Sequence, residues 1–129
     1  MKGHITNIEQ NTLENEDYRR VLYTAKNMQL VLMSLKPGEE VGEEVHNVDQ
    51  FVRIEQGDAV VILDGEKHAM EKDFSVIIPA GTKHNVINSG GTDLKLYALY
   101  APPEHKDGVV DKAKEDEKEE HFDGETTEA

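Results

Sequence analysis

Glu44, His46 and Gln50 fall within seven residues of one another, and His84 opens a second stretch just after Pro79-Ala80-Gly81. Imidazole nitrogens and carboxylate oxygens are donors that first-row transition ions accept, and with no cysteine in the chain no thiolate competes for the role. Side chains two apart in an extended chain point the same way, so Glu44 and His46 share a face. If the extension holds through residue 50, Gln50 joins them together with Val52 and Ile54, and Phe51, Arg53 and Glu55 take the opposite face. Two charges mark that second face as solvated, which turns Glu44, His46 and Gln50 inward. His84, at the head of another strand, can complete the cluster. A bulge between residues 46 and 50 would break this parity.

The elements that must position these groups are short strands. Period-2 alternation and turn residues dominate residues 18–100, with strands expected at 18–24, 29–35, 50–55, 59–63, 67–70, 74–78, 84–88 and 94–100. Asp64-Gly65 suits the positive φ values of a type I′ hairpin turn. Seven or eight such strands at close spacing indicate an all-β sandwich or barrel rather than alternating α/β units. Residues 111–121 have a helix-compatible composition but a poor apolar face, and read as a frayed helix or as disorder.

Composition narrows the partners. The chain has 129 residues, the size of one domain, and a formal charge of −13. Residues 104–129 hold 11 acids and four lysines, so the last 26 residues carry −7 of that charge. Such a surface repels phosphate backbones, no basic stripe offsets it, and nucleic acid is excluded as a partner. No run reaches the ~18 apolar residues of a membrane span, and the first residues lack the apolar segment of a signal peptide. The expected location is therefore cytoplasmic, with a barrel domain over residues 1–103 and an acidic C-terminal extension over 104–129.

The joint pattern of two spaced motifs resembles the cupin superfamily, whose double-stranded β-helix (jelly-roll) barrels hold a metal near their axis. The family's first motif runs Gly-x5-His-x-His-x3,4-Glu-x6-Gly, and here Gly38, Glu44, His46, Gln50 and Gly57 keep every spacing. The second runs Gly-x5-Pro-x-Gly-x2-His-x3-Asn, and here Asp73 stands in the place of its first glycine while Pro79, Gly81, His84 and Asn88 match at the same spacing. The chain is most similar to small stand-alone cupins of the mannose-6-phosphate-isomerase-like group, and Tyr100-Ala101-Pro102-Pro103-Glu104-His105-Lys106-Asp107-Gly108 shares that likeness. The resemblance implies one divalent transition metal (Mn, Fe, Co, Ni or Zn) held by Glu44, His46, Gln50 and His84, and a homodimer. Relative to three histidines and one glutamate, a carboxylate has moved from the fourth position to the first and an amide stands where the glutamate was. One carboxylate against a divalent ion still leaves a first shell of +1.

Other readings stand beside this one. Glu44 lies among Glu39, Glu40 and Glu43 and could be a loop glutamate, and Gln50 could be a buried amide satisfied by the backbone. Asn85 and Asn88 suit turn or strand hydrogen bonding, and His68 suits the surface. His105 follows Pro102-Pro103, which must end the last strand, so residues 104–110 could fold over the barrel mouth and bring His105 to the site. Tyr23, Tyr97 and Tyr100 are candidates to line the cavity.

Three functional classes follow. The first is a metal-dependent enzyme of isomerase, epimerase or lyase type acting on a small polar sugar-like or keto-acid metabolite. The second is an Fe(II)-dependent dioxygenase built on Glu44, His46 and His84. The third is a non-catalytic cupin that binds a small molecule. A phosphorylated substrate needs cationic donors, and only Lys83 and Lys95 offer themselves, if they turn in.

Overall fold

The computed structural model describes residues 2–128. Helix α1 (Ile8–Glu14) precedes nine strands: β1 (Arg19–Thr24), β2 (Gln29–Leu35), β3 (Asp49–Gln56), β4 (Asp58–Leu63), β5 (Glu66–Glu71), β6 (Ser75–Ile78), β7 (His84–Asn88), β8 (Leu94–Ala101) and β9 (Val110–Asp111). They form two antiparallel sheets, a six-stranded one ordered β6-β3-β8-β2-β1-β9 and a three-stranded one ordered β5-β4-β7. The arrangement is the expected all-β jelly-roll barrel, with every strand anticipated from the alternation present. Residues 40–44 add an irregular fourth line to the smaller sheet through the bridges Glu40–Ile87 and Glu44–His84.

The two sheets enclose a dry core of Val31, Leu35, Val52, Ile54, Val61, Ile78, Leu94 and Leu96, all nearly inaccessible. These are β-branched and leucine side chains at alternate positions of their strands, the pattern that places one face of a strand in hydrocarbon. At one end of the barrel the same inward face turns polar. Gln50 pairs with Tyr100, Tyr100 with Gln29, and Gln29 with Thr24, so a row of four buried polar side chains runs across β3, β8, β2 and β1.

Turn chemistry agrees with the sequence at the tight points. Asp64 and Gly65 both take positive φ, +48° and +84°, as the β4–β5 hairpin requires. Gly57 sits at +95°, and a Cβ there would lie 3.0 Å from the Asp93 carbonyl oxygen. Asp73, which occupies the second motif's glycine position, holds the left-handed conformation at φ +74°, and Asp is one of the few non-glycine residues that tolerate it.

Three expectations need correction. Glu55 is buried rather than solvated, because Arg53 lies along the same stretch and donates to it from Nε at 2.6 Å. A register shift between Ile54 and Gln56 against β8 interrupts the alternation at that point. Residues 111–121 are neither a helix nor loose. The segment following β8 returns to the barrel, β9 pairs with β1, a single 3-10 turn spans Lys114–Asp116, and Thr127 exchanges hydrogen bonds with Thr24. Helix α1 was not anticipated. Its seven residues carry one buried side chain, Thr12, and its start is set by Asn7, whose side chain accepts from the Gln10 N–H at 3.0 Å.

Candidate functional site

Backbone pairing brings Glu44 and His84 together. Each donates its N–H to the other's carbonyl, at 2.8 and 2.9 Å, and His46 is tied to the turn before β7 by the Gly81 N–H at 2.8 Å. These bonds clamp both motifs to one another, so His46 and His84 meet with ring centroids 5.0 Å apart. Gln50 stands on the inward face of β3, as parity required, and donates from Nε2 to the Tyr100 hydroxyl at 3.1 Å. Its carbonyl oxygen is buried without a hydrogen-bond partner.

The two imidazoles are oriented by different acceptors. His84 Nδ1 lies 2.9 Å from the Thr82 carbonyl, which fixes the proton on Nδ1 and leaves Nε2 as the lone-pair nitrogen. His46 sits between two carboxylates, with Nδ1 3.2 Å from Glu104 Oε1 and Nε2 3.4 Å from Glu44 Oε2. The Glu104 contact is close enough for charge pairing but poorly aligned, and His46 Nδ1 has no well-formed hydrogen bond. Burial alone would depress His46, but Glu104 and Glu44 outweigh it and push the imidazole up to about 9. Burial likewise opposes the ionised forms of Glu44 and Glu104, yet the facing His46 holds both carboxyls below their usual range. Burial raises the Tyr100 phenol, so it stays neutral.

A cavity of about 300 Å³ opens beside this group, walled by Arg19, Glu44, His46, Glu104, His105 and Glu117 among others. His84 is not among the residues that wall it and borders a neighbouring hollow with Glu40, Glu43 and Asn85. Among the described residues no three His, Cys, Asp or Glu side chains form a group that would hold a metal ion. The donor set is nonetheless chemically suited to one. Two imidazoles whose ring centroids lie 5.0 Å apart, a carboxylate 3.4 Å from one of them and an unpartnered amide oxygen on β3 are donor types that a divalent ion accepts.

The segment following β8 supplies residues that the spacing argument did not reach. Glu104 pairs with both His46 and His121, the latter at 3.4 Å. His105 is buried edge-on to Tyr100 with ring centroids 5.0 Å apart, and its backbone N–H and carbonyl are both held by the Gln29 amide. Residues 104 and 105 therefore do close on the cavity. Burial, with Arg19 nearby, drives the His105 imidazole down to about 3.

Arg19 was also missed, although a signal existed. Val21 faces inward, so alternation along β1 puts Arg19 inward as well, and it is 4% exposed. Neither lysine singled out earlier enters the cavity. Lys95 donates to the Asn15 carbonyl at 2.5 Å, and Lys83 is exposed near Glu43. Of the tyrosines only Tyr100 lines the site. Tyr23 stacks on His4, and Tyr97 packs against Phe51. Asn85 holds the 40–42 segment by accepting from the Gly42 N–H, and Asn88 bridges Leu35, Thr92 and Gly90, so both serve backbone hydrogen bonding. His68 is half exposed on β5.

Comparison with known proteins gives a consistent result. Residues 31–100 match the cupin domain family. The YrkC protein of Bacillus subtilis is 46% identical over 122 residues, covering 89% of this chain and 66% of its own length, so the chain spans just under two thirds of that relative. Protein L612 of Acanthamoeba polyphaga mimivirus is 44% identical over 113 residues, covering 84% and 71%. A crystal structure from Bacillus halodurans superposes with a TM-score of 0.87 at 39% identity, covering 89% of this chain and 92% of that one.

Proposed function

The chain belongs to the cupin family, and on that premise we propose that it is a metal-dependent enzyme of isomerase, epimerase or lyase type acting on a small polar sugar-like or keto-acid metabolite. The observation that carries the reading is the orientation of the two imidazoles. His84 donates from Nδ1 to the Thr82 carbonyl and His46 turns Nδ1 to the Glu104 carboxylate, so His84 Nε2 is left as a donor atom for an ion and His46 Nε2 faces Glu44, itself one of the candidate ligands. Acceptors of this kind behind ligating histidines set the tautomer and raise ligand basicity.

Glu44, His46 and His84 would hold the ion, with the Gln50 amide oxygen as a fourth, weaker donor. When bound, a divalent ion supplies Lewis-acid polarisation of adjacent substrate oxygens. The chain's own residues do the rest. Tyr100 positions Gln50 through the amide N–H, Gly81 and His84 hold the backbone of both motifs in register, and the Pro102–His105 corner keeps bulk water from the Tyr100 side of the cavity. A volume of about 300 Å³ lies at the small end of ligand sites and suits a metabolite of a few carbons.

Elemental analysis of protein purified without chelator tests the reading, with about one divalent ion per chain expected. A metal-free protein whose melting temperature ignores EDTA and added Mn, Fe, Ni and Zn would overturn it. Turnover supported by Mn or Zn agrees with isomerase or lyase chemistry, whereas oxygen uptake that requires added Fe(II) would replace it with a dioxygenase.

A further inference from the structure

The cavity beside His46 contains a second built feature whose chemistry differs from that of the histidines. Arg19 is buried on β1, stacks over the Tyr18 ring at 5.3 Å, and has its Nε buried with no hydrogen-bond partner. Its NH1 contacts Glu117 Oε2 at 2.6 Å, and the other Glu117 oxygen lies 3.9 Å from Lys114 Nζ. Asp111, the cross-strand neighbour of Arg19 on β9, is farther away at 3.7 Å and leaves Oδ2 without a hydrogen bond. One carboxylate from the acidic C-terminal segment is thus gripped by a guanidinium inside the wall that also includes Glu44 and His46, and it is approached from behind that wall by the Lys114 ammonium, which also donates to the Val41 carbonyl at 3.1 Å.

We propose that Arg19 and Lys114 form the subsite for the carboxylate of a small monocarboxylic substrate, and that Glu117 occupies that subsite in the ligand-free protein. The proposal rests on the preceding reading for the identity of the cavity as the substrate site, and it selects acids over neutral sugars within that reading. A buried guanidinium is a fixed, always-charged fork that matches a carboxylate, and its unpartnered Nε marks unused capacity for a second contact. Glu117 lies at the edge of a one-turn segment and its side chain is about one-third exposed, so rotation of that side chain alone vacates the subsite.

Charge decides the class of ligand. Glu104, Glu119 and Glu120 share the wall with Glu44, and a phosphate dianion entering there adds charge against them. A monocarboxylate replaces the Glu117 carboxylate one for one and leaves the balance at Arg19 unchanged. The tethered Glu117 competes at high effective concentration, so free acids bind the unaltered chain weakly.

Titration calorimetry with pyruvate, and with inorganic phosphate as the alternative anion, tests this on the full chain both as purified and after EDTA treatment. Glu117→Gln is expected to bind pyruvate at least about tenfold more tightly than the unaltered protein, and Arg19→Lys in the Glu117→Gln background to lose that gain. Because Glu117 is partly exposed, its variant keeps the fold, and circular dichroism on the same samples verifies this. Equal pyruvate affinity with and without Glu117→Gln, or a gain for phosphate instead of pyruvate, would overturn the proposal. Metal content measured on those samples separates the outcomes. A pyruvate gain in protein that carries no metal as purified keeps the anion subsite and rejects the metal reading, whereas metal bound as purified without the gain does the reverse.

Discussion

Glu44 and His84 face each other as an antiparallel pair that exchanges both backbone hydrogen bonds, at 2.8 and 2.9 Å, although 40 positions separate them in sequence. The bonds belong to the main chain, so the side chains are free to be replaced without undoing the clamp. This separates structural from ligand roles experimentally.

His84→Ala should therefore retain the barrel, with a far-ultraviolet spectrum like that of the unaltered chain, and lose bound divalent metal. His46→Ala should do the same, and Gln50→Ala should weaken binding less, since an amide oxygen is the weakest donor of the set. Inductively coupled plasma analysis alongside circular dichroism checks all three.

Glu104→Gln keeps the shape of the side chain and removes the charge behind His46 Nδ1. Metal affinity should fall by roughly 10–100-fold, the usual effect of altering the acceptor behind a ligating histidine. In EDTA-treated protein the same change should lower the His46 titration midpoint from its raised position near 9. A nuclear magnetic resonance titration of the imidazole protons reads both states.

His105 gives a pH dependence with a defined sign. Its folded value of about 3 lies below the ordinary 6.5, chiefly because of burial, with Arg19 and His46 adding like charge, Glu44 opposing and His121 contributing least. Above pH 6.5 the ring is neutral in both folded and unfolded chains, and its contribution to stability is fully present. Below 6.5 the unfolded chain takes up a proton that the folded one refuses, so stability falls as pH drops, by at most about 1.4 kcal/mol per unit. The raised value of His46 acts above 6.5 and does not enter this window. Urea denaturation between pH 5 and 6.5 should show the slope, and His105→Phe should flatten it.

Gly57→Ala should destabilise the chain by about 1–3 kcal/mol, because a left-handed conformation and a 3.0 Å approach to the Asp93 carbonyl act together. Thermal melting followed by far-ultraviolet circular dichroism would show a lower midpoint with the metal content unchanged.

Much of the fold was legible because alternation is a strong signal wherever one face of a strand is buried. The eight anticipated strands lie where apolar alternation or short β-branched runs are bounded by turn residues, and the Asp64-Gly65 turn was readable from its φ requirement alone. Spacing pointed to Glu44, His46, Gln50 and His84, and backbone bonds join the segments of Glu44, His46 and His84, while Gln50 stands on β3 against Tyr100. Glu104 and Arg19 were not found, for different reasons. Glu104 is one acid among 11 in its segment, and nothing local distinguishes the one that turns back onto His46. Arg19 was visible by parity with Val21, but a charged residue beside Arg20 reads as surface until a carboxylate from nearly a hundred positions away is seen to reach it. Helix α1 escaped because seven residues with one buried side chain leave no periodic pattern.

The polar row Thr24–Gln29–Tyr100–Gln50 also governs which pairing the chain adopts as it folds. Sliding β8 by two residues would keep Leu94, Leu96 and Ala98 on the inner face, so apolar alternation by itself does not forbid the slip. The slip would carry Tyr100 away from Gln50 and set Ala98 or Pro102 opposite a buried amide, at a cost of about 1–3 kcal/mol for the group left unsatisfied. Four side chains that hold the cavity end of the barrel thus act as an alignment key, and they discriminate against misregistered sheets before any ligand is present.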